Sequence, residues 1–168
     1  MGFRIGNGYD AHRLAENRAL VLGGVVIPFE KGLLGHSDAD ALVHAIIDAL
    51  LGAAHMGDIG QIFPDSDAAY LGVSSLVLLA RTGRMLAESG WRIANIDSII
   101  VAERPKLASY VPDMERCISA ALGVPPEAGA VSVKATTEEG MGFTGAGLGI
   151  AAYACALIEN TLSEGNIQ

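Results

Sequence analysis

Residues 35–60 read GHSDADALVHAIIDALLGAAHMGDIG, an apolar segment that holds three of the four histidines of the chain. At 3.6 residues per turn, Asp40, His44 and Asp48 follow one another at four-residue spacing along one side of a helix. Most other positions are Ala, Leu, Val or Ile, so the pattern predicts a buried helix with a polar stripe. Charged groups in that setting need partners or a metal ion, and the alternative is a solvated helix face.

The segments that flank this helix alternate between strand-like and loop-like patterns. Residues 3–10 predict a short strand, and residues 19–30 predict a hairpin that turns at Gly23-Gly24. Residues 31–35 carry two glycines and are predicted to be a linker. Ser37 is the predicted N-cap of the helix, which should end near Gly57.

The rest of the chain continues the same alternation. Residues 57–72 predict a loop, residues 74–88 and 112–122 helices, and residues 91–103 and 129–136 strands. A Gly-rich loop over 138–149 leads into an apolar segment, 149–160, whose periodicity fits a helix or a strand. This order predicts one α/β (α+β) domain over residues 1–168, a sheet with helices packed on one face.

Composition excludes several classes of function. The net charge is −8 and the 11 Lys and Arg residues are scattered, so we expect no nucleic-acid partner. No apolar run approaches the ~20 residues of a membrane helix, and the N-terminal residues show no pattern of a secretory or transit peptide. Cys117 and Cys155 are expected to be buried thiols in a reducing compartment, which predicts a cytoplasmic protein.

Three side chains predict a metal site. In an extended strand the side chains of Asp10 and His12 point the same way, because residues i and i+2 share a face. His44, on the polar stripe, supplies a third ligand. Three ligands with one position left open are typical of a catalytic zinc site. The alternative is an ordinary polar cluster, since an Asp-x-His pair alone is a weak signal.

Three further segments suggest phosphate or sugar binding, although none is specific alone. His36 and Ser37 precede the helix, whose free N–H groups attract phosphate or are simply capped. Residues 63–67, FPDSD, form an acidic loop that holds polyol hydroxyls or is a plain turn. Residues 134–139, KATTEE, offer hydroxyls and carboxylates suited to a phosphate with Mg²⁺.

Together these motifs resemble a known family. The segments GYDAHRL (8–14), GGVVIPFEKGLLGHSDADALVHAIIDALLGAAHMGDIGQIFPDSD (23–67) and VKATTEEGMGFTG (133–145) resemble the 2-C-methyl-D-erythritol 2,4-cyclodiphosphate synthases of the non-mevalonate isoprenoid pathway. The resemblance runs from about residue 3 to residue 160. It implies a mixed sheet, a last segment that is a strand, and a homotrimer with active sites between adjacent subunits.

The resemblance also implies a reaction. These lyases convert 4-diphosphocytidyl-2-C-methyl-D-erythritol 2-phosphate to the 2,4-cyclodiphosphate and CMP, by attack of the 2-phosphate on the β-phosphorus. The family's zinc ligands match Asp10, His12 and His44, and Glu139 matches the ligand of a second cation, Mg²⁺ or Mn²⁺. Two metals suit phosphoryl transfer, which needs positioning and charge stabilisation.

Further roles follow from the same match. His36 and Thr137 match the transition-state stabilisers, and Asp48 is expected to hold His44 from four residues along the helix. The positions that match substrate contacts are Ser37 at the phosphates, with Asp58, Ile59, Gly60, Phe63, Pro64, Asp65, Ser66 and Asp67 at the methylerythritol. The remaining substrate positions are Ala102, Lys106, Leu107, Ala108, Ala135 and Thr136 at the cytidine, together with Phe143. His55 is expected to be structural.

Three positions depart from the family pattern, and two other functions stay open. Gly140 stands beside Glu139 where a Lys that contacts phosphate is commoner. Ala146 and Leu148 stand where Arg and Glu are common near the trimer axis, which argues against an isoprenoid phosphate bound there. One alternative is a zinc-dependent phosphohydrolase that acts on a nucleotide-linked substrate. The other is a non-catalytic metal or nucleotide-binding module, although structural zinc usually has four protein ligands.

Overall fold

Four strands precede a mixed series of helices and strands in a computed structural model, which describes residues 2–64 and 66–161. The strands are β1 (Phe3–Glu16), β2 (Leu20–Leu22), β3 (Val25–Ile27), β4 (Lys31–Leu33), β5 (Trp91–Val101), β6 (Val131–Thr136) and β7 (Gly149–Asn160). The helices are α1 (Ala41–Ala54), α2 (Ile59–Ile62), α3 (Ser75–Glu88), α4 (Val111–Leu122) and α5 (Gly142–Gly145). Short 3-10 turns occupy Ala68–Tyr70 and Pro126–Ala128.

Five strands form the main sheet, in the order β4-β1-β7-β5-β6. Only the β5–β6 pair of this sheet is parallel, so the sheet is mixed, as the family resemblance implies. Strands β2 and β3 form a separate hairpin whose turn residues, Gly23 and Gly24, both have positive φ, at 59° and 76°. That conformation is the reason for two glycines, and it confirms the predicted turn.

The C-terminal segment that periodicity left open is a central strand. Strand β7 pairs antiparallel with β1 on one side and with β5 on the other. Its residues are mostly small and apolar and nearly all of one side of it is buried. Two neighbouring strands satisfy its backbone groups, a tertiary fact that no local pattern reports.

The predicted bounds of the first strand and the predicted linker near the N-terminus are wrong. Strand β1 runs six residues beyond the predicted end, and the predicted linker 31–35 contains β4, which pairs with Leu14–Glu16. The glycines of this segment indicated a linker, but Gly32 is required in the strand, because a Cβ there would lie 2.1 Å from the carbonyl oxygen of Ala19.

The predicted loop over residues 57–72 is also not wholly irregular, since it contains α2 and a 3-10 turn.

The N-cap of α1 is Asp40, so the prediction of Ser37 is wrong. One carboxylate oxygen of Asp40 accepts hydrogen bonds from the N–H groups of Val43 (3.1 Å) and Gly23 (2.9 Å), and the other accepts from Gly24 (2.7 Å). Burial of this side chain raises its pKa to about 6, although the three N–H donors act in the opposite direction. Asp40 therefore ties the β2–β3 hairpin to the start of α1.

Helix α1 packs closely on one face of the main sheet, with α3 next to α1 and α4 next to α3. A Cβ at Gly6 would lie 2.0 Å from the carbonyl oxygen of Ala49, and one at Gly8 would lie 2.0 Å from that of Ala45. Only glycine allows so close an approach of strand to helix. The helices therefore lie on one face, as predicted, and none in the described part of the chain is long and apolar enough to span a membrane.

We expect Gly8→Ala to lower the free energy of unfolding by about 3 kcal/mol, because the added methyl group forces α1 away from β1. The control is Gly52→Ala, since Gly52 lies in α1 with no atom within 4 Å of an added Cβ. This change should raise the free energy of unfolding by about 0.5–1 kcal/mol. Urea unfolding measures both, and a Gly8→Ala variant as stable as the wild type would contradict the close contact.

Candidate metal centre

Asp10, His12 and His44 meet where β1 crosses α1, as the sequence predicted. Asp10 Oδ2 lies 2.8 Å from His12 Nε2 and 3.1 Å from His44 Nδ1, and the two nitrogens are 3.3 Å apart. Ligands about 2.0–2.1 Å from a tetrahedral zinc ion stand roughly 3.3 Å apart. The triangle of donor atoms therefore fits zinc with a small expansion, and its oxygen and imidazole donors suit that metal.

The second nitrogen of His12 has a backbone partner. His12 Nδ1 lies 2.9 Å from the carbonyl oxygen of Leu34, just beyond β4. A carbonyl can only accept, so Nδ1 carries the proton and the lone pair of Nε2 faces Asp10 and His44. This arrangement is common among metal-binding histidines.

Serines, rather than Asp48, contact the second nitrogen of His44. His44 Nε2 lies 2.9 Å from Ser75 Oγ and 3.1 Å from Ser37 Oγ. Asp48 Oδ1 accepts a hydrogen bond from the N–H of Ile59 at 2.7 Å. The expectation that Asp48 holds His44 is therefore wrong: Asp48 fixes the start of α2 to α1.

Charge interactions within the triad favour the ionised pair. Burial acts to raise the pKa of Asp10, but hydrogen bonds and positive charge from His12 and His44 outweigh it and hold that pKa well below its usual range. Burial likewise acts to lower the pKa of His12, but Asp10 outweighs it and raises that pKa. A proton on His12 therefore competes with a metal ion for the same lone pair.

A cavity of about 460 Å³ opens over the triad. His36 and Ser37 line one part of its wall, and Ile59, Gly60, Phe63 and Pro64 line another. The structure thus places the predicted phosphate segment and much of the predicted polyol loop at one cavity. Sequence reasoning gave no role to Leu34, Gly35, Tyr70 and Leu78, which also line it. Tyr70 and Leu78 lie outside the segments that resemble the family.

The acidic residues of the predicted polyol loop serve partly as caps. Asp58 accepts from the N–H of Gln61 at 2.9 Å and caps α2, and Asp67 accepts from that of Ala69, also at 2.9 Å. Ser66 lies in an exposed turn. Asp65 falls outside the described residues.

A second, smaller cavity contains the segments predicted to bind cytidine. Its volume is about 160 Å³, and its lining is Ala102, Pro105, Lys106, Leu107, Ala108, Ala135, Thr136 and Thr137. No residue lines both this cavity and the one over the triad. Thr137 and His36, the two expected stabilisers, therefore face different cavities in one chain.

Glu139 lies outside the triad, and Phe143 lines a different opening whose wall His12 shares. Glu139 has φ of 54° and accepts a hydrogen bond from the Thr137 hydroxyl at 3.0 Å, on the Gly-rich loop. Phe143 and Leu148 line a separate opening next to His12. The chain alone brings together the three expected zinc ligands, but it does not bring Glu139 to them.

Sequence reasoning missed two supports of the site. Arg18 Nη2 donates to the carbonyl oxygens of Gly35 and Ser37, both at 3.3 Å, and so holds the loop that carries His36. Ser75 is fully buried at the first position of α3 and contacts His44. Neither residue belongs to a motif, and only their location in space connects them to the triad.

These features describe a mixed-sheet α+β protein with three side chains that could hold a metal ion under one cavity, and with a second cavity elsewhere on the chain. Residues 3–159 match the model of the YgbB family. The chain is 58% identical over 158 residues to the 2-C-methyl-D-erythritol 2,4-cyclodiphosphate synthase of Pelotomaculum thermopropionicum, covering 94% of this chain and 96% of that protein. The chain belongs to the YgbB family, in which its curated relatives are cyclodiphosphate synthases.

Solved structures agree with this assignment. The bifunctional IspDF from Campylobacter jejuni superposes with a TM-score of 0.90 at 38% identity, over 95% of this chain and 42% of that one. The Plasmodium falciparum IspF in complex with CDP gives a TM-score of 0.82 at 32% identity, over 95% of this chain and 97% of that one.

Added Zn²⁺ should raise the melting temperature of the wild type by about 5–10 °C at 100 times its dissociation constant. The shift should shrink as pH falls from 8 to 6, because His12, with its raised pKa, must lose a proton when the metal binds. Differential scanning calorimetry measures it. His12→Ala should lose the shift, and an equal shift at both pH values would contradict proton competition.

Proposed function

We propose that this chain catalyses the conversion of 4-diphosphocytidyl-2-C-methyl-D-erythritol 2-phosphate to 2-C-methyl-D-erythritol 2,4-cyclodiphosphate and CMP. The observation that carries the proposal is the triangle of Asp10, His12 and His44 under a cavity, in a chain of this family. Its three donors leave one position of a tetrahedral ion open to substrate.

The proposed reaction forms one phosphorus–oxygen bond and breaks another. An oxygen of the 2-phosphate attacks the β-phosphorus, the bond from that phosphorus to the bridging oxygen breaks, and CMP leaves with this oxygen. Such a transfer needs aligned groups and stabilised negative charge, and no protein nucleophile. A zinc ion at the triad, with Mg²⁺ or Mn²⁺ at Glu139, would supply Lewis-acid stabilisation of the diphosphate.

The side chains around the triad would hold the substrate. We assign His36 and Ser37 to the phosphates, because both line the cavity and Arg18 fixes their loop. The backbone at Ile59 and Gly60, with Phe63 and Pro64, would contact the methylerythritol. Asp58, Asp65, Ser66 and Asp67 remain proposed neighbours of its hydroxyl groups.

The second cavity would hold the nucleotide. Its walls are mainly small side chains and backbone of residues 102–108 and 135–137, which suits a flat base, and Lys106 offers positive charge to a phosphate. The CDP complex of the Plasmodium falciparum relative supports a nucleotide ligand in this fold. We assign Thr137 to stabilisation of the transferred phosphoryl group and Phe143 to substrate contact.

We propose a homotrimer that joins the two cavities across each subunit interface. A single chain keeps the triad cavity and the nucleotide cavity apart, so one complete site would take each from a different subunit. The sheet face opposite α1 also exposes large apolar side chains: Ile5 is 76% exposed, Tyr9 48% and Tyr153 50%. Such a patch is typical of a protein interface.

Two other functions make different predictions. A zinc-dependent phosphohydrolase would use water as the nucleophile and release CMP with an uncyclised product. A non-catalytic binding module would bind zinc without turnover. We place the reaction in the cytoplasm, in keeping with the free thiols of Cys117 and Cys155. The expectation that both thiols are buried is wrong, since Cys117 is half-buried and Cys155 is exposed on β7.

Incubation of the protein with the diphosphocytidyl substrate, Zn²⁺ and Mg²⁺ should yield CMP and the cyclic diphosphate, as followed by phosphorus NMR. His44→Ala should reduce turnover by at least about 1,000-fold and abolish zinc binding, because two ligands cannot hold the ion. The matched control is His55→Asn, at an exposed position outside the cavity with φ of 60° that Asn tolerates. CMP without the ring, or no turnover, would refute the synthase.

Ile5→Glu should convert the trimer to monomers and lower turnover by about 100-fold or more, because a charge on the apolar face cannot be buried at an interface. Light scattering after gel filtration measures the mass. Val77→Glu is the control, since Val77 is also an exposed apolar residue but lies on α3. A wild-type protein that is monomeric at assay concentration and still active would contradict the shared site.

A further inference from the structure

We propose that Ser75 and Asp38 are positioning residues that hold His44 in the tautomer that binds the metal. The inference rests on the proposed zinc site and extends it to two residues on other elements. Its basis is a continuous chain of hydrogen bonds from the Asp38 carboxylate through the Ser75 hydroxyl to the imidazole of His44.

The Ser75 hydroxyl has a fixed direction. Ser75 is fully buried, and its Oγ donates a hydrogen bond to Asp38 Oδ1. A carboxylate can only accept, so the one hydroxyl hydrogen of Ser75 is used there. The same Oγ lies 2.9 Å from His44 Nε2 and can only accept from it.

The direction of that bond decides the tautomer of His44. A proton on Nε2 leaves the lone pair on Nδ1, and Nδ1 is the atom that faces Asp10 Oδ2 at 3.1 Å and His12 Nε2 at 3.3 Å. The opposite tautomer would place a hydrogen where the metal must bind. The Ser75 acceptor therefore prepares His44 as a ligand before any metal arrives.

Asp38 is itself held firmly. Its Oδ2 accepts from the N–H of Ser75 at 3.0 Å, its Oδ1 accepts from that of Asp40 at 3.3 Å, and its own N–H donates to the carbonyl of Val73 at 3.2 Å. These bonds connect the loop before α1 to the start of α3. The orientation of His44 on α1 therefore depends on how the start of α3 packs against the loop before α1.

Ser37 provides partial compensation. Its Oγ accepts from the N–H of Ala39 at 3.2 Å and lies 3.1 Å from His44 Nε2. In a Ser75→Ala variant this hydroxyl can still accept from Nε2, although at greater length. Asp38→Asn acts more severely, because in either orientation the amide NH2 group faces an N–H that the carboxylate accepted from, that of Asp40 or that of Ser75. When the NH2 group occupies the Oδ1 position, it also turns the Ser75 hydroxyl into a donor to Nε2 and so favours a ring proton on Nδ1.

The test is the zinc dissociation constant of the full chain, measured by competition with a chromophoric chelator at one pH. Ser75→Ala should weaken zinc binding about tenfold and Asp38→Asn up to about 100-fold, the usual range for partners of metal ligands. The visible absorption of bound Co²⁺ should also change in both, because it reports the orientation of His44. Ser75→Ala keeps the N–H of residue 75 bonded to Asp38, so α3 still forms.

Two serine-to-alanine variants control for general effects. Ser74→Ala alters the neighbouring residue, whose side chain makes no capping bond, and Ser98→Ala removes a buried hydroxyl that donates to the carbonyl of Ser132 in the sheet. Both should bind zinc and Co²⁺ as the wild type does. A Ser75→Ala variant with wild-type zinc affinity and Co²⁺ spectrum, or an equal loss in Ser98→Ala, would overturn the positioning role alone. A wild type that binds no zinc would overturn the proposed metal site as well.

Discussion

The backbone contact between β1 and α1 is the constraint on which the rest of the structure depends. At Gly6 and Gly8 the strand passes so close to the carbonyls of Ala49 and Ala45 that no side chain fits between them. The same strand continues to Asp10 and the same helix carries His44. A separation larger by even one methyl group would open the triangle of the three candidate ligands, so the packing of small residues sets the geometry of the site.

Buried carboxylates then join the surrounding elements to this pair. Asp40 accepts backbone hydrogen bonds from the β2–β3 hairpin and from α1, and Asp38 caps the start of α3 while it directs Ser75 toward His44. Neither carboxylate is a metal ligand. Asp38 and Asp40, which precede α1, therefore use their negative charge to accept hydrogen bonds that join the hairpin, α1 and α3.

Local residue patterns predicted the hairpin turn and the longer helices, but they failed where hydrogen bonds join distant segments. The glycine hairpin, the helices α1, α3 and α4, and the shared side of Asp10 and His12 follow from local rules, because turn conformation and side-chain spacing are local properties. That His44 meets this pair across more than 30 positions is a tertiary fact, which spacing alone left open. Asp48 shows the limit: a four-residue spacing suggested contact with His44, yet the carboxylate turns to the N–H of Ile59. Ser75 contacts His44 across 31 positions of sequence, a distance at which no pattern operates.

The sequence by itself indicated the candidate metal ligands, most of the order of the elements and, through dense motif resemblance, the family. Tertiary structure decided that residues 149–160 form a central strand, that Asp40 rather than Ser37 caps α1, and that serines hold His44. The physical reason is that short-range propensities fix which local structures are available, whereas buried hydrogen-bond partners are chosen only when distant segments dock and exclude water.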